Sequence, residues 1–181
     1  WEMGYAPLLW LNEGKIYYST NGVSAENLDF RHIFNNAYEP PINSWTHVSV
    51  TIDANMRVAK MYINGNLFSV RELSDNDNAV FNSEDLAIGA YNANGGWSFN
   101  GRIDEVSIWG RALNDAEVGY FHSRSLNGSE QDLVGHWNFN EGDGSIVYDI
   151  SPNQNHGVIE GDGVNWEEQV PEGYLSSLND Y

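Results

Sequence analysis

The chain has no cysteine and little positive charge. Its 181 residues include 8 Lys and Arg against 26 Asp and Glu, which gives a formal net charge of −18. Without cysteine, the protein has neither disulfides nor a thiol nucleophile. The charge excludes nucleic acid and anionic lipid as partners, because both require a positive surface. No apolar run approaches the ~18 residues of a membrane-spanning helix, so we expect no membrane insertion.

Aromatic residues and asparagine are abundant instead. Aromatic side chains make up 13% of the chain, which also holds 18 Gly and 23 Asn but only two Lys. Aromatic content at this level argues against disorder. Asn and Gly favour turns, since both tolerate a positive φ. The composition therefore predicts an all-β protein with many short strands. The chain opens on Trp1 without an initiator Met, so we expect it to be part of a larger chain.

Alternating apolar and polar residues predict the strands. The pattern over 8–18 indicates a hairpin, and the alternation of Val48, Val50 and Ile52 indicates a strand that begins at Trp45. Asn64-Gly65 is a strong signal for a two-residue hairpin turn. Further strands are predicted over 57–63, 67–70, 86–91 and 101–109, with two more around a polar loop within 133–161.

One helix is predicted after the last of these long strands. Asn114 is a good N-cap, and Glu117 lies three residues later, at the spacing of a capping box. Asp115 and Glu117 also favour the positive end of the helix dipole. We expect the helix to cover 115–122 and a polar linker to follow over 125–132.

Several phrases resemble a known family. The runs 45–51 and 61–65, and above all Gly101 to Leu113 followed by 114–117, are similar to the laminin-G-like (concanavalin A-like lectin/glucanase) jelly-roll domain. Together they cover about residues 45–122. The resemblance implies an all-β, two-sheet antiparallel jelly-roll sandwich with one short helix.

A further phrase resembles the same family but stands in an unusual place. Residues 137–144 and 149–157 look like the segment that usually opens the domain, yet here they follow the helix. One explanation is a single domain over 1–170, in which 133–166 supplies the missing strands and 171–181 is a loose tail. The alternative is a domain over 1–125, with 133–181 starting a second repeat. We prefer the first, because 1–125 alone offers too few strands for two sheets.

The sequence gives little sign of catalysis. Jelly-roll glucanases carry two Glu and one Asp on a strand, spaced E-x-D-x-x-E, for retaining hydrolysis. The nearest strand phrase, 102–107, lacks both glutamates, and 141–146 has only the first two members, in a turn. We therefore predict no catalytic residues.

Calcium is the metal that the chain could best hold. It takes six to eight oxygens from carboxylates, amides and carbonyls. The resemblance implies Asp104 as one ligand, although an ordinary buried, hydrogen-bonding Asp explains it equally well. The turn with Glu141 and Asp143 could add oxygens. Asp149, Ser151, Asn153 and Asn155 fall at alternate positions, as at the start of a calcium loop. For Asp149, Asn153 and Asn155, bonding to their own backbone is the favoured interpretation. We expect a structural ion that crosslinks loops.

A loop offers the residues of a carbohydrate site. Sugars are bound by an aromatic face together with amides and carboxylates that contact hydroxyls. The run 91–100 has these groups around two glycines, so we predict ligand-binding residues Tyr91, Asn92, Asn94, Trp97 and Asn100. Trp10 and Tyr38 are secondary candidates, whereas Trp45, Trp109 and Trp137 lie in strand phrases and are expected in the core.

The leading functional hypothesis is a non-catalytic extracellular or cell-surface binding module of a bacterial protein. It would bind a glycan or another extracellular ligand, with a structural calcium ion. The alternative is a structural or adhesion domain that contacts proteins within a multidomain surface protein. A glycoside hydrolase is the third hypothesis, and a cleft with two carboxylates about 5–10 Å apart would support it.

Overall fold

The computed structural model describes residues 8–12, 14–19, 38–73, 85–90 and 98–167. The chain divides into two compact units, the first made of 1–84 with 114–119 and the second of 85–113 with 120–181. In the described ranges every strand pair is antiparallel and one short helix occurs. The predicted all-β class with one short helix is confirmed.

The first unit contains a hairpin and a three-stranded sheet. Strands β1 (Leu8–Asn12) and β2 (Lys15–Ser19) form the hairpin predicted over 8–18. The sheet has the order β3-β4-β5, made of Val48–Asp53, Val58–Ile63 and Asn66–Glu72. Strand β3 begins at Val48 rather than at the predicted Trp45.

The turn between β4 and β5 has the predicted two residues. Ile63 pairs with Asn66, and Asn64 and Gly65 have φ angles of 49° and 74°. Positive φ at both central residues matches the right-handed twist of the flanking strands, which is why Asn-Gly occupies such turns. The Asn64 carboxamide oxygen also accepts the His47 N–H at 2.9 Å, which ties the turn to the start of β3.

The core of the first unit lies against one face of this sheet. Ala59, Met61 and Ile63 alternate along β4 and are buried, together with Ile16 of β2. Six partly buried side chains pack against them: Tyr18, Tyr38, Val48, Val50, Ile52 and Leu73. The alternation predicted for β3 is thus confirmed. Burial also raises the pKa of the Tyr18 hydroxyl to about 12.

Helix α1 spans Asp115–Phe121, one residue shorter than predicted. Its capping box is formed in both directions, since Glu117 N–H donates to Asn114 Oδ1 at 3.0 Å and Asn114 N–H donates to Glu117 Oε2 at 2.8 Å. Within the first unit, Asp115 accepts hydrogen bonds from Lys60 and Tyr62. In the described part of the chain, no helix is long and apolar enough to cross a membrane.

The second unit contains two small sheets. Strand β6 (Val106–Trp109) pairs with β7 (Leu133–Trp137), and β8 (Ile146–Val147) pairs with β9 (Gly157–Val158). The pairing puts 133–137 in one sheet with 106–109. Two strands were predicted within 133–161, but three are present. The choice between one domain over 1–170 and a second repeat from 133 stays a prediction.

Two predicted strands differ from the structure because of the backbone. Residues 86–90 form no strand, since Gly89 has a φ of 81° and its carbonyl accepts the Phe99 N–H instead; Tyr91 lies outside the described residues. The strand predicted over 101–109 begins only at Val106, because Glu105 adopts a φ of 53°. A left-handed residue interrupts the extended geometry that strand pairing requires.

The segment 125–132, which was expected to be a polar linker, is ordered by hydrogen bonds. The Glu130 carboxylate accepts the N–H groups of Asn127 and Gly128, at 2.9 and 3.0 Å. A Cβ on Gly128 would lie 2.2 Å from the Ile150 carbonyl oxygen, so this position requires glycine. Of the tryptophans expected in the core, Trp137 is buried, while Trp45 and Trp109 are half-buried.

Candidate functional site

The predicted carbohydrate loop lies mostly beyond what the structure describes. Tyr91, Asn92, Asn94 and Trp97 are outside the described residues, and Asn100 is exposed. Of the two secondary candidates, Tyr38 packs edge-on against Phe68, with ring centroids 5.4 Å apart, and contacts the core. That position gives Tyr38 a structural role. The side chain of Trp10 is outside the described set.

A cluster of ionisable groups lies where β6 begins. His136 of β7 is 1% exposed, and its Nε2 is 3.1 Å from Glu105 Oε2. These two atoms are close, but they do not form an aligned hydrogen bond. The other ring nitrogen, Nδ1, lies 3.3 Å from the Val106 carbonyl oxygen. The imidazole therefore links β7 to the first residues of β6.

Asp104 lies beside this pair and is half-buried. Its Oδ1 accepts the Glu105 N–H at 2.9 Å, which stabilises the left-handed backbone at Glu105. Burial, followed by the charge of Glu105, raises the pKa of the Asp104 carboxyl to about 6. A bound cation would favour the charged form and lower that pKa.

Asp149 is a buried centre of hydrogen bonding in the second unit. One carboxylate oxygen accepts the N–H groups of His136 and Ser151, at 2.9 and 2.8 Å. The other accepts the Ser151 hydroxyl and the Asn155 N–H, both at 2.8 Å. Burial alone would raise the pKa of Asp149, but these donors together lower it below its ordinary value. Four donors occupy the acceptor sites of the carboxylate.

The neighbouring asparagines point to the same structural role. The Val134 carbonyl accepts the Ser151 hydroxyl at 3.2 Å and the carboxamide N–H groups of Asn153 and Asn155 at 2.9 and 3.1 Å. The structure thus brings together three of the six predicted metal ligands, Asp149, Asn153 and Asn155. Asp149 accepts N–H groups two and six residues ahead, which favours the turn interpretation for it, whereas Asn153 and Asn155 bond to a carbonyl of β7.

Glu141 differs from Asp149 because only half of its carboxylate is engaged. Its Oε1 accepts the Tyr148 N–H at 2.7 Å, whereas its Oε2 is buried without a hydrogen-bond partner. Asp143, in the same turn, is exposed. Among the described residues, no three His, Asp or Glu side chains form a group that could hold a metal ion. A calcium ion here would need backbone carbonyls and water as its remaining ligands.

Two contacts between side chains were not predicted from the sequence. Glu105 and His136 are separated by thirty-one positions, and neither stands in a recognisable motif, so only the β6–β7 register reveals their contact. Tyr148 and His156 likewise come together through the turn around Asp149, with ring centroids 5.1 Å apart. Alternation after Ile146 is the one signal that could have indicated an exposed Tyr148.

A family model, Laminin_G_3 of the concanavalin A-like lectin/glucanases superfamily, matches residues 4–119, which is more than half of the chain. The protein therefore belongs to the concanavalin A-like lectin/glucanase superfamily, as its sequence predicted. The phrase at 137–157 lies beyond the matched residues. No curated protein sequence matches the chain.

Two solved structures are similar. One is a candidate carbohydrate-binding protein from Bacteroides ovatus ATCC 8483, with a TM-score of 0.56 and 18% identity. The match covers 84% of this chain and 46% of that protein, so the chain spans less than half of its length. The other is an S-layer domain-containing protein (residues 221–444) from Clostridium thermocellum ATCC 27405, with a TM-score of 0.31, 19% identity and coverages of 60% and 52%.

Proposed function

We propose that this chain is a non-catalytic carbohydrate-binding module of a secreted or cell-surface protein. The observation that carries the proposal is the fold, since the chain belongs to a superfamily of lectins and glucanases. The similarity to the Bacteroides ovatus protein over 84% of the chain supports the choice of carbohydrate as ligand. A fold alone does not fix a function, so the remaining support comes from the residues.

The carboxylates favour binding over hydrolysis. The sequence has no E-x-D-x-x-E strand phrase, and retaining hydrolysis needs one carboxylate as nucleophile and a second as acid. In the nearest strand phrase, Asp104 accepts a backbone N–H and Glu105 lies against His136. Both carboxylates are engaged with the chain itself, which supports a structural use for them.

We also propose a structural calcium ion, with Glu141 as its carboxylate ligand. The buried Oε2 of Glu141 has no hydrogen-bond donor, and a cation would satisfy it. Asp149 does not fit, because a metal there would have to displace four hydrogen bonds. When bound, the ion would stabilise the turn by joining Glu141 to neighbouring oxygens.

The calcium proposal is tested by thermal unfolding with and without chelator. We expect CaCl₂ to raise the melting temperature of the wild-type protein and to leave Glu141→Gln unchanged. The exposed neighbour gives a matched control, since Asp143→Asn should respond like the wild type. Equal melting temperatures of the wild-type protein in CaCl₂ and in EDTA would contradict the proposed structural calcium ion.

The carbohydrate proposal is tested on a glycan array, with and without chelator. We expect the wild-type protein to bind at least one neutral glycan. Trp97→Ala should weaken that binding, because loss of an aromatic stacking face is worth about 1 kcal/mol or more. Tyr120→Ala is the control, since Tyr120 is 55% exposed and no ligand role is assigned to it. Absence of glycan binding in both conditions would favour the protein-interaction alternative.

A further inference from the structure

A row of exposed apolar side chains runs along the segment that contains β8. From 146 to 151 exposure alternates strictly: Ile146, Tyr148 and Ile150 are 45%, 50% and 37% exposed, while the residues between them are buried. Val158 of β9 pairs directly with Ile146 and is 67% exposed. Neighbouring exposed apolar side chains of this kind mark contact surfaces.

An aromatic pair stands at the centre of this row. The rings of Tyr148 and His156 are 5.1 Å apart and nearly perpendicular, at 77°. The His156 side chain is held in place by a hydrogen bond, because the Asp149 N–H donates to its Nδ1 at 3.1 Å. Its backbone is held as well, since the His156 N–H donates to the Gln154 carbonyl at 2.9 Å. The two rings are thus nearly perpendicular, and the position of the His156 ring is fixed by hydrogen bonds.

The hydrogen bond to Nδ1 determines what His156 can offer a ligand. A nitrogen that accepts a backbone N–H carries no proton, so in the neutral imidazole the proton lies on Nε2. The residue is exposed, and Nε2 is therefore a hydrogen-bond donor of known position beside the Tyr148 ring. An apolar ring face next to a directed donor is what a sugar ring requires, since a pyranose has an apolar C–H face and a rim of hydroxyls.

We propose that the face formed by Ile146, Tyr148, His156 and Val158 is a binding platform for a neutral sugar ring. The sugar stacks on Tyr148, and a hydroxyl accepts a hydrogen bond from His156 Nε2. The proposal shares with the proposed function only its ligand class, because the platform includes no residue of the 91–100 loop and lies beyond the family match over 4–119.

Size and charge favour a neutral glycan over other occupants. A stable protein interface uses about 20–30 residues a side, whereas this surface has five, namely Ile146, Tyr148, Ile150, His156 and Val158. An anionic glycan is disfavoured by the net charge of −18 and by Glu141, whose carboxylate accepts the Tyr148 N–H. A single sugar ring or a short chain of rings matches both limits.

The test follows backbone amide signals by ¹H–¹⁵N NMR while neutral hexasaccharides are added to the full chain. Cellohexaose, laminarihexaose, mannohexaose and xylohexaose are used, with a heparin-derived hexasaccharide as an anionic comparison. We expect shifts at residues 146–149 and 156–158 with at least one neutral sugar, and none with the heparin fragment. The platform would be overturned if only the heparin fragment shifted these signals, or if no sugar shifted them.

Variants separate stacking from folding. Tyr148→Ala should weaken binding at the platform by about tenfold or more, whereas Tyr120→Ala should change it by less than about twofold. His156→Gln can accept the Asp149 N–H and still donate, so it should retain more affinity than His156→Ala. Circular dichroism shows that each variant is folded. Equal affinities of Tyr148→Ala and Tyr120→Ala would contradict the proposal.

The same titration distinguishes the two sites. Shifts confined to the 91–100 loop would leave the proposed function intact and overturn the platform. Shifts confined to the platform would support the platform proposal and would contradict a ligand-binding role for the 91–100 loop. If no neutral sugar shifts any signal, the platform and the carbohydrate function both fail.

Discussion

At the scale of single residues, two carboxyl groups of the second unit have opposite environments. Asp149 is surrounded by hydrogen-bond donors that favour its charged form, and its pKa is lowered. Asp104 is half-buried beside Glu105, and its pKa is raised. The first group stabilises the fold in its ionised state, whereas ionisation of the second costs stability.

Asp149→Ala should therefore be strongly destabilising. The change leaves three backbone N–H groups without their acceptor and leaves the Ser151 hydroxyl only the Val134 carbonyl, so we expect the free energy of unfolding to fall by about 3 kcal/mol. Urea unfolding at neutral pH measures it. The exposed Asp143 provides the comparison, since Asp143→Ala should lie within about 0.5 kcal/mol of the wild type. Similar losses in both variants would refute a special role for Asp149.

Asp104→Asn should change how stability depends on pH. Unfolded Asp titrates near pH ~3.9, but the folded carboxyl holds its proton up to about pH 6. Between these values the folded state binds more protons, so its stability falls as pH rises, and the loss persists above pH 6. The variant keeps the acceptor for the Glu105 N–H and should be more stable than the wild type at pH 7. A less stable variant with the wild-type pH slope would contradict this.

At the scale of elements, local signals predicted most of what formed. The Asn64-Gly65 turn and the α1 capping box each depend on residues within three positions, so the sequence contains the whole interaction. The late start of β6, after Glu105, was not predicted, because the left-handed residue is held by Asp104 and lies against a histidine on another strand. The strand prediction for residues 86–90 was wrong for a similar reason, since the alternation of apolar and polar residues does not show that Gly89 turns the backbone.

The capping box gives a prediction for helix α1. Asn114→Ala removes the acceptor for the Glu117 N–H, and we expect it to cost about 1 kcal/mol of stability. Asn114→Ser keeps a capping oxygen and should recover most of that loss. Urea denaturation of the two variants beside the wild type measures the difference. Equal stabilities of all three proteins would show that the cap contributes nothing.

At the scale of the whole molecule, the candidate site was less predictable than the fold. The superfamily was identified from three phrases between 45 and 122, which contain parts of strands β3 and β4, strand β6 and the start of helix α1. Asp149, Asn153 and Asn155 were recognised as a group, but the sequence could not decide between metal ligands and a turn. The local N–H bonds to Asp149 favour the turn, while the two asparagines bond to the Val134 carbonyl about twenty positions away, which the local sequence does not show.

Truncation tests the domain prediction at this scale. If 133–166 completes a single domain, a chain that ends at residue 130 loses the partner of β6 and should melt at a much lower temperature or without cooperativity. A chain that ends at residue 170 is the control and should melt like the full chain. An unchanged melting transition of the 1–130 chain would support the second-repeat alternative.

The measurement that tests the central claim most directly combines binding and turnover on one sample. The full chain is titrated with each neutral hexasaccharide by isothermal calorimetry, and the same mixtures are then assayed for new reducing ends. The account predicts saturable binding of at least one sugar and no increase in reducing ends. Release of reducing ends would show a glycoside hydrolase, and no binding of any sugar would contradict the carbohydrate function.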